Sequence, residues 1–345
     1  MSEFKVNAIT NRDGSYGPQV CGVTTFRSSG LQLPSGPTEF RGGRGRGING
    51  GGFVSPSSQT VMDLIEISTT GNAVDFGDLT TILRNIATCA SSTRGTFAGG
   101  QTPSNSDVIM FTTISSGGGC DDFGSLRTAM TNSNDGVLSD NTRGIILYGS
   151  PSSLPANANQ GTLDFITIAT TGDSNRFGEL SVARRHTASM ASPTRGVFAT
   201  GKNDSLSSYL KVIDFIIIQT QGTAVTFGEI STNGREQSVG AGNKTRGLIA
   251  GGLESPTPYQ SIDFITLATE GNGQDFGDLA ANRFGMSSMS NSTRATFAGG
   301  GTPGNSNTIE FVTIATTGNA TDFGDLTVAR QVGQGLSDVH GGLAQ

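Results

Sequence analysis

The chain repeats one pattern six times, and this repeat constrains the fold more than any other feature. Each copy has an arginine followed by a short glycine-rich apolar segment, then a second apolar segment, then a Phe-Gly pair. The arginines are Arg46, Arg94, Arg143, Arg195, Arg246 and Arg294, and the phenylalanines are Phe76, Phe123, Phe177, Phe227, Phe276 and Phe323. A period near ~50 residues is typical of propeller blades. The sequence therefore predicts an all-β chain of six blades.

The fifth repeat shows most clearly how each blade divides into strands. We predict strand b at 246–252, strand c at 262–269 and strand d at 275–279, each bounded by Gly, Pro or Asn turn signals. The small residues of 285–291 favour an innermost strand a, because blades narrow toward the axis. Strand c has apolar side chains on both faces, including Phe264 and Ile265. Both faces must therefore be covered, as they are between stacked blades.

The strand order, together with a glycine doublet that ends strand b, resembles the Kelch propeller blade over residues 44–345. The doublet recurs at 51–52, 99–100, 251–252 and 299–300, whereas 148–149 and 200–201 depart from it. The chain has no tryptophan, and the phenylalanine of the Phe-Gly pair stands in place of the Kelch tryptophan. The resemblance implies a divergent, Kelch-like six-bladed β-propeller. It does not carry over the ubiquitin-ligase adaptor role of that family.

Ring closure can also be predicted from the order of the segments. The first repeat begins at strand b near Gly45, with no small-residue strand before it, and residues 331–338 follow the last repeat with the composition of strand a. We expect this C-terminal strand to complete the first blade, because closure removes the exposed sheet edges that promote aggregation.

The second repeat departs from the others at two positions, with Ser125 in place of an acid and Met130 in place of an arginine. The other repeats carry an acid after the Phe-Gly pair and an arginine downstream: Asp78 and Arg84, Glu179 and Arg184, Glu229 and Arg235, Asp278 and Arg283, Asp325 and Arg330. Because acid and base disappear together, we predict that they pair within each repeat as a partly buried, charge-assisted contact. Arg127 is a candidate substitute in the second blade.

The connections between strands b and c vary most in length, and loops on a rigid scaffold commonly carry function. Tyr148, Tyr209 and Tyr259 fall in or beside these connections, and Lys202, Asp204 and Lys211 lie nearby. A tyrosine ring beside polar groups suits a sugar, whose apolar face stacks on the ring. These six residues are the predicted ligand site. The alternative is that the tyrosines only cover loop backbone.

Composition and motifs exclude several functions. The net charge of -6 argues against nucleic acid as a partner, since phosphate binding needs clustered Lys and Arg. No apolar run approaches the ~18 residues of a membrane span. Asp-Phe-Gly recurs once per blade, which marks it as structural and not as a kinase motif. The chain has two histidines, too few for a multi-histidine zinc site. We expect no metal, no cofactor and no enzymatic activity.

Residues 1–43 lack the repeat and contain only short β-like pieces, which include Phe4, Val6 and Ile9 in one and Val20 and Phe26 in another. Such a segment cannot bury a core of its own, so we expect it to order against another chain. The run Lys5-Val-Asn-Ala-Ile-Thr-Asn11, which precedes a Gly- and Pro-containing turn, resembles the N-terminal attachment segment of tailed-phage appendage proteins. The repeat sequence at 317–326, Thr-Gly-Asn-Ala-Thr-Asp-Phe-Gly-Asp-Leu, is similar to repeat sequences in propellers encoded by phages of aquatic bacteria, including cyanophages.

These resemblances imply a virion structural protein. Residues 1–43 would attach to other virion proteins of the tail, neck or capsid, and the propeller at 44–345 would face outward to contact host-surface glycans. Several copies on one particle, as a homo-oligomer, would add avidity to weak contacts. A second hypothesis is a capsid decoration protein without receptor binding. A third is a glycan-cleaving enzyme, which would need an isolated pair of acids in one pocket.

Overall fold

The computed structural model describes residues 45–343, apart from residue 133 and residues 152–160. Within these ranges the chain forms strands and turns and contains no helix. The predicted attachment residues Phe4, Val6, Ile9, Val20 and Phe26 lie outside the described residues, so the attachment role stays a prediction.

Six blades surround a common axis, and each blade is built from strands a to d in order from the axis outward. Strand a is β5 (Ala87–Ala90), β14 (Thr187–Ala191), β20 (Val239–Gly242), β26 (Ser287–Ser290) and β32 (Gln334–Ser337). Strand b is β1 (Arg46–Gly50), β6 (Arg94–Ala98), β11 (Arg143–Pro151), β15 (Arg195–Ala199), β21 (Arg246–Ala250) and β27 (Arg294–Ala298). In the third blade, residues 137–140 take the place of strand a and join strand b through a bridge between Ser139 and Gly144.

The two outer strands complete each blade. Strand c is β3 (Ser57–Glu66), β8 (Ser104–Thr113), β12 (Thr162–Thr167), β18 (Val212–Ile217), β24 (Ser261–Thr266) and β30 (Thr308–Thr313). Strand d is β4 (Val74–Leu83), β9 (Asp121–Asn132), β13 (Asn175–Glu179), β19 (Val225–Glu229), β25 (Gln274–Asp278) and β31 (Thr321–Asp325). The predicted six-bladed β-propeller is therefore confirmed.

Short strands make up the remainder. Those between strands b and c are β2 (Phe53–Val54), β7 (Gln101–Thr102), β16 (Lys202–Asn203), β17 (Ser208–Tyr209), β22 (Leu253–Glu254), β23 (Thr257–Pro258), β28 (Gly301–Thr302) and β29 (Gly304–Asn305). β10 (Asn134–Asp135) pairs in parallel with β14, and the long strands β9 and β11 pair with each other. Because of that pairing, the second and third blades share one sheet.

The C-terminal strand closes the ring in the first blade, as predicted. β32 pairs antiparallel with β1 over four residues, from Gly47 opposite Ser337 to Gly50 opposite Gln334. Leu336, in the middle of β32, is fully buried and belongs to the core between the first and second blades. The edge of β1 that would otherwise be exposed is therefore covered.

The turn between strands a and b of the first blade is built from two segments far apart in sequence, at Gly45–Arg46 and at Asp338. In the sixth blade, the Asn291 side chain caps this turn by accepting hydrogen bonds from the amides of Thr293 and Arg294. In the first blade, Asp338 Oδ1 accepts the same pair of bonds from the amides of Gly45 (3.1 Å) and Arg46 (2.9 Å). The Asp338 carboxylate thus supplies, without a covalent connection across the turn, the side-chain cap that the other blades form within a continuous chain, with Ser91, Asp140, Ser192, Asn243 and Asn291.

The Phe-Gly segment of strand d is where neighbouring blades touch most closely. The amide of Gly222, in the loop between strands c and d of the fourth blade, donates to the Phe177 carbonyl of the third blade at 3.2 Å. A Cβ placed on Gly178 would lie 1.9 Å from the Gly222 carbonyl oxygen. The same approach recurs from Gly77, Gly124, Gly228, Gly277 and Gly324, the last of which closes the ring onto Gly71. Glycine is required at this position because the adjacent backbone leaves no space for a side chain.

Replacing Gly178 by alanine should therefore lower the free energy of unfolding by about 2–3 kcal/mol, the usual cost of overpacking against a backbone that cannot move freely. Gly222→Ala is the matched control, because a Cβ at Gly222 meets nothing within 4 Å. Neither glycine has a positive φ, so strain in the backbone does not differ between the two variants. Urea unfolding should show the loss in the first variant alone, and equal midpoints in the two would contradict the steric explanation.

The six arginines of the repeat connect each blade to the next. Arg94 lies 4.2 Å from the ring centroid of Phe111 in its own blade, and its Nη1 donates to the Ile168 carbonyl of the third blade at 3.0 Å. Arg143, Arg195, Arg246 and Arg294 repeat both contacts. In the first blade Arg46 donates in the same way to Ile114 but pairs with Glu66 at 3.4 Å, because Leu64 replaces the phenylalanine of strand c. These contacts combine cation–π stacking with inter-blade hydrogen bonds.

The predicted partners of the downstream arginines were wrong. Arg184 pairs with Asp214 on strand c of the blade that follows it, at 2.8 Å, and both side chains are fully buried. The equivalent buried pairs are Arg235 with Asp263, Arg283 with Glu310, and Arg330 with Asp63. The acids proposed as partners, Asp78, Glu179, Glu229, Asp278 and Asp325, lie instead at exposed or half-buried positions of strand d. The linker from strand d to the next strand a passes over the following blade, which places its arginine there.

The second blade replaces the whole ion pair by apolar side chains. Leu83, and not Arg84, occupies the arginine position. The Leu83 carbonyl accepts a hydrogen bond from the Gly52 amide, just as the Arg283 carbonyl accepts one from the Gly252 amide. Leu83 and Met110, at the acid position of strand c, are both fully buried. Arg84 stacks on Phe53 at 4.4 Å.

The third blade keeps the acid but lacks the arginine, because Met130 stands in its place. Asp164 is fully buried and is held by Arg127 Nε at 2.9 Å, the Tyr148 hydroxyl at 2.8 Å and the Ser174 hydroxyl at 2.8 Å. The three donors compensate for the missing arginine, as a buried carboxylate requires.

Candidate functional site

The propeller has two distinct faces. Because neighbouring strands of each blade run antiparallel, the b–c loops and the d–a linkers lie together on one face, which we call the loop face. The a–b turns and the c–d loops lie on the opposite face, the turn face. Gly45, where the described chain begins, and the segment after β32 are both on the turn face.

On the loop face, the fourth blade presents a short hairpin formed by β16 and β17. Asn203 fixes this hairpin, because its Nδ2 donates to the Ala183 carbonyl at 2.8 Å and its Oδ1 accepts from the Leu206 amide at 2.9 Å. Ser207 completes the turn with a φ of 49°. The side chain of Leu206 is 69% exposed at the tip. The hairpin is thus held at its base and presents its tip to solvent.

A group of charged side chains lies beside the hairpin. Arg185 Nε donates to Asp204 Oδ2 at 2.7 Å, and Arg185 Nη1 lies 3.1 Å from Glu236 Oε2. His186 Nδ1 contacts the same Glu236 oxygen at 3.0 Å, and Lys202 Nζ lies 3.9 Å from Glu236 Oε1. We call Arg185, His186, Lys202, Asp204 and Glu236 the blade-4 cluster. It joins two linkers and one loop on the loop face.

Glu236 and Arg185 keep their charges within this cluster. Burial opposes ionisation of Glu236, but the contacts with His186, Arg185 and Lys202 outweigh it and hold the pKa of the carboxyl below its usual 4.5. Burial also acts against the Arg185 guanidinium, whose pKa is nevertheless raised by Asp204 and Glu236. Glu236 is therefore a poor proton donor at neutral pH. The arrangement suits hydrogen bonding to a neutral polar ligand better than acid–base chemistry.

Two of the three predicted tyrosines lie on the loop face in adjacent blades. Tyr209 stacks with Lys202, whose Nζ is 5.1 Å from the ring centroid, and its hydroxyl accepts from the Ser255 amide at 3.2 Å. The Tyr259 hydroxyl donates to Glu254 Oε2 at 2.7 Å and accepts from Asn233 at 3.2 Å. Both rings are half-buried. Their hydroxyls fix the β22–β23 hairpin between them, while part of each ring faces solvent.

Tyr148 is not part of this site. Its side chain is 1% exposed and its hydroxyl donates to Asp164 inside the third blade, so the prediction that it binds ligand was wrong. Burial, together with the nearby carboxylate, raises the pKa of Tyr148. The ring is inside because this blade needs a donor for Asp164, where the first, fourth, fifth and sixth blades supply an arginine.

Lys211 lies on the loop face, immediately before β18, and its side chain is exposed. Its carbonyl accepts from the Ile230 amide at 2.9 Å, which fixes its backbone. Lys202, Asp204, Tyr209, Tyr259 and Lys211 are thus brought to one face of two adjacent blades, five of the six predicted ligand residues.

Arg185, His186 and Glu236 were not among the predicted ligand residues. A signal was present, since the linker position after the buried arginine carries charge in two adjacent repeats, at Arg185 and Glu236, but is Phe284 and Gln331 in the next two. A charged residue that appears at one repeat position in only some blades indicates a local role.

Among residues 45–343 as described, no three His, Cys, Asp or Glu side chains are grouped as metal ligands would be. The described part of the chain also contains no helix long and apolar enough to cross a membrane. The chain matches no protein-family model, and no curated protein matches it. The fold and the geometry of the loop face therefore carry the functional argument.

Proposed function

We propose that this chain is a virion structural protein of a tailed phage, attached to other virion proteins through residues 1–43, with its loop face directed outward to contact host-surface glycans. The observation that carries the proposal is the separation of the two faces. The covalent connection to residues 1–44 leaves from Gly45 on the turn face, and the variable loops with the blade-4 cluster lie on the opposite face. The covalent connection and the variable loops thus lie on opposite faces of the propeller.

The chemistry of the loop face supports a glycan as the ligand. Half-exposed tyrosine rings at 209 and 259 offer stacking surfaces for the apolar face of a sugar, and the paired charges around them offer donors and acceptors for hydroxyl groups. The charges neutralise one another, which favours a polar ligand over a highly charged one. Loops held by hydrogen bonds at their base lose little entropy on binding, and many copies on a particle would raise a weak affinity by avidity.

The first experiment tests placement on a particle. Antibodies raised against the purified propeller should label intact phage particles in negative-stain electron microscopy, at the tail, neck or capsid. Absence of label, with the protein also absent from purified particles by mass spectrometry, would reject the virion role.

The second experiment tests the loop face with a matched lysine control. The purified protein is assayed by surface plasmon resonance against capsular polysaccharides and lipopolysaccharide O-chains from cyanobacteria and other aquatic bacteria. Lys202→Ala with Lys211→Ala should weaken binding about tenfold, since each lost contact is worth about 0.5–1 kcal/mol. Lys244→Ala, an exposed lysine on the turn face, should leave binding unchanged.

Two further outcomes would support the capsid-decoration and the glycan-cleaving hypotheses instead. Particles that lack the protein but adsorb normally and lose heat resistance would indicate capsid decoration. Shortening of a polysaccharide in the panel would indicate an enzyme, and equal loss of binding in the turn-face control would reject the proposed site.

A further inference from the structure

The chain continues beyond β32 into the axis of the propeller. Val339, His340 and Leu343 are 7%, 3% and 0% exposed, so the segment is buried almost completely. It lies at the turn-face end of the innermost strands, because its neighbours are the residues at which those strands end or turn, such as Ala90, Ala191 and Asn243. We call residues 338–343 the C-terminal plug.

Two glycines allow the plug to fit. A Cβ on Gly341 would lie 2.5 Å from the Ala191 carbonyl oxygen of the fourth blade and 2.6 Å from the Asn243 carbonyl oxygen of the fifth. A Cβ on Gly342 would lie 1.7 Å from the Ser139 carbonyl oxygen of the third blade. The plug therefore touches several blades at once and closes this end of the axis.

His340 is the side chain that fixes the plug. Its Nε2 lies 2.9 Å from the Ala90 carbonyl oxygen and 3.2 Å from the Ser139 hydroxyl, and its Nδ1 accepts from the Gly342 amide at 3.1 Å. The Gly342 amide needs an acceptor at Nδ1, and the Ala90 carbonyl, which also accepts from the Ser139 hydroxyl at 2.9 Å, can only accept from Nε2. Both conditions are met only by the neutral imidazole with its proton on Nε2. A second proton on Nδ1 would face the Gly342 N–H and remove that hydrogen bond.

The carboxylates of Asp338 and Asp140, which lie on the turns next to the plug, accept hydrogen bonds from backbone amides. Asp338 accepts from the amides of Gly45 and Arg46, and Asp140, on the turn of the third blade, accepts from the amides of Thr142 and Arg143. Cys89 on β5 stays a thiol, because burial raises its pKa to about 12. The contacts described for His340 are those with Ala90, Ser139 and Gly342, and none of them is a carboxylate.

We propose that acid releases the C-terminal plug. Protonation of His340 expels residues 338–343 from the axis and loosens the ring at the turn where Asp338 caps Gly45 and Arg46. The link to the ring is Asp338, which belongs to the plug and also caps that turn through Gly45 and Arg46. Release of the plug therefore removes the cap from the amides of Gly45 and Arg46, at the start of β1. This release does not depend on the proposed virion role.

The direction of the pH effect follows from burial. Burial lowers the pKa of His340 from 6.5 to about 4, and the Ala90 carbonyl counteracts it only in part. Above the pKa of the exposed histidine, both the closed and the open plug are neutral and the closed form is fully favoured. As the pH falls from about 6.5 toward about 4, the open form binds a proton that the closed form cannot, so closure weakens.

Hydrogen exchange followed by mass spectrometry tests the proposal in the full-length chain. Protection of the amides in 338–343, corrected for the intrinsic pH dependence of exchange, should fall about 70-fold between pH ~7.5 and ~4.5, as a shift from 6.5 to about 4 requires. Amides of β24, in the interior of the fifth blade, serve as the internal reference and should keep their protection.

His340→Gln is the matched variant, because its amide can donate to the Ala90 carbonyl but does not titrate. In this variant, protection of the amides of residues 338–343 should depend little on pH. If the variant fails to close, the histidine titration of the wild-type protein by NMR decides the question, since the only other histidine is His186. A His340 pKa near 6.5, or plug protection that is equal at both pH values, would overturn the proposal.

Discussion

A chain that ends at Arg330 should no longer fold as a stable monomer. The truncation removes β32, and with it four backbone-paired residues beside β1 and the buried side chains of Leu336, Val339 and Leu343. Burial of each large aliphatic side chain contributes about 1.5–3 kcal/mol, so the loss approaches the ~5–15 kcal/mol that typically stabilises a whole domain. We expect light scattering after size exclusion to show oligomers or aggregates, since the exposed edge of β1 can pair with another chain.

A chain that ends at Leu343 is the control, because it keeps the whole described closure, and it should remain monomeric with an unchanged melting temperature. The stability of Asp338→Ala should lie between those of the two truncated chains. Its free energy of unfolding should fall by about 1–2 kcal/mol, because only the side-chain cap of the a–b turn in the first blade is removed. A truncated protein that is monomeric and as heat-stable as the full chain would show that closure contributes nothing.

Replacing Asp214 by alanine should lower the free energy of unfolding by about 3–5 kcal/mol, because Arg184 would be left charged and fully buried without its partner. The double variant Arg184→Leu with Asp214→Met copies the Leu83 and Met110 arrangement of the second blade, where both side chains are also fully buried. It should lose no more than about 1–2 kcal/mol, since a well-packed apolar pair can replace a buried ion pair. Urea denaturation with matched slopes measures both.

The second blade provides the reciprocal control for this experiment. Leu83→Arg alone should destabilise the protein about as much as Asp214→Ala, because it buries an unpaired charge next to Met110. Adding Met110→Asp should recover a large part of the loss. If the single and double variants at 184 and 214 are equally destabilised, the blades are not interchangeable and the interpretation is wrong.

The repeat made the fold predictable, because every copy carries its strand and turn signals at the same spacing. The lack of a small-residue strand before Gly45 and the spare segment at 331–338 were sufficient to predict closure in the first blade. The pairing of Arg184 was not predicted, because the acid nearest in sequence is Glu179, whereas the linker carries the arginine to Asp214 on the next blade. The sequence did contain a signal of the correct pairing. The blade that has Leu83 at the arginine position also has Met110, and not an acid, at the facing position of strand c.

The residues of the candidate site were harder to predict than the fold, because each belongs to one blade and has no repeated copy for comparison. Tyr148, beside a loop in the sequence, turns inward because Asp164 lacks an arginine, and that depends on Met130, eighteen residues earlier in the chain. Tyr209 and Lys202 do lie side by side because both belong to one loop, and their role as ligand residues stays a prediction. Arg185, His186 and Glu236 come together only where two successive linkers meet. The charge at the linker position marks Arg185 and Glu236 in the sequence, but it does not show that the two side chains are in contact.

The closing turn also determines how the protein bears mechanical load. Any force transmitted through residues 1–44 enters at Gly45, beside the one blade whose a–b turn has no peptide bond across it. A pull away from the turn face acts along the length of β1, which is hydrogen-bonded to β3 on one side and β32 on the other. Antiparallel ladders carry their hydrogen bonds perpendicular to the strands, so such a pull strains them together in shear instead of opening them one at a time. The one a–b turn without a peptide bond across it is thus loaded in shear, the direction in which the hydrogen bonds of β1 resist force best.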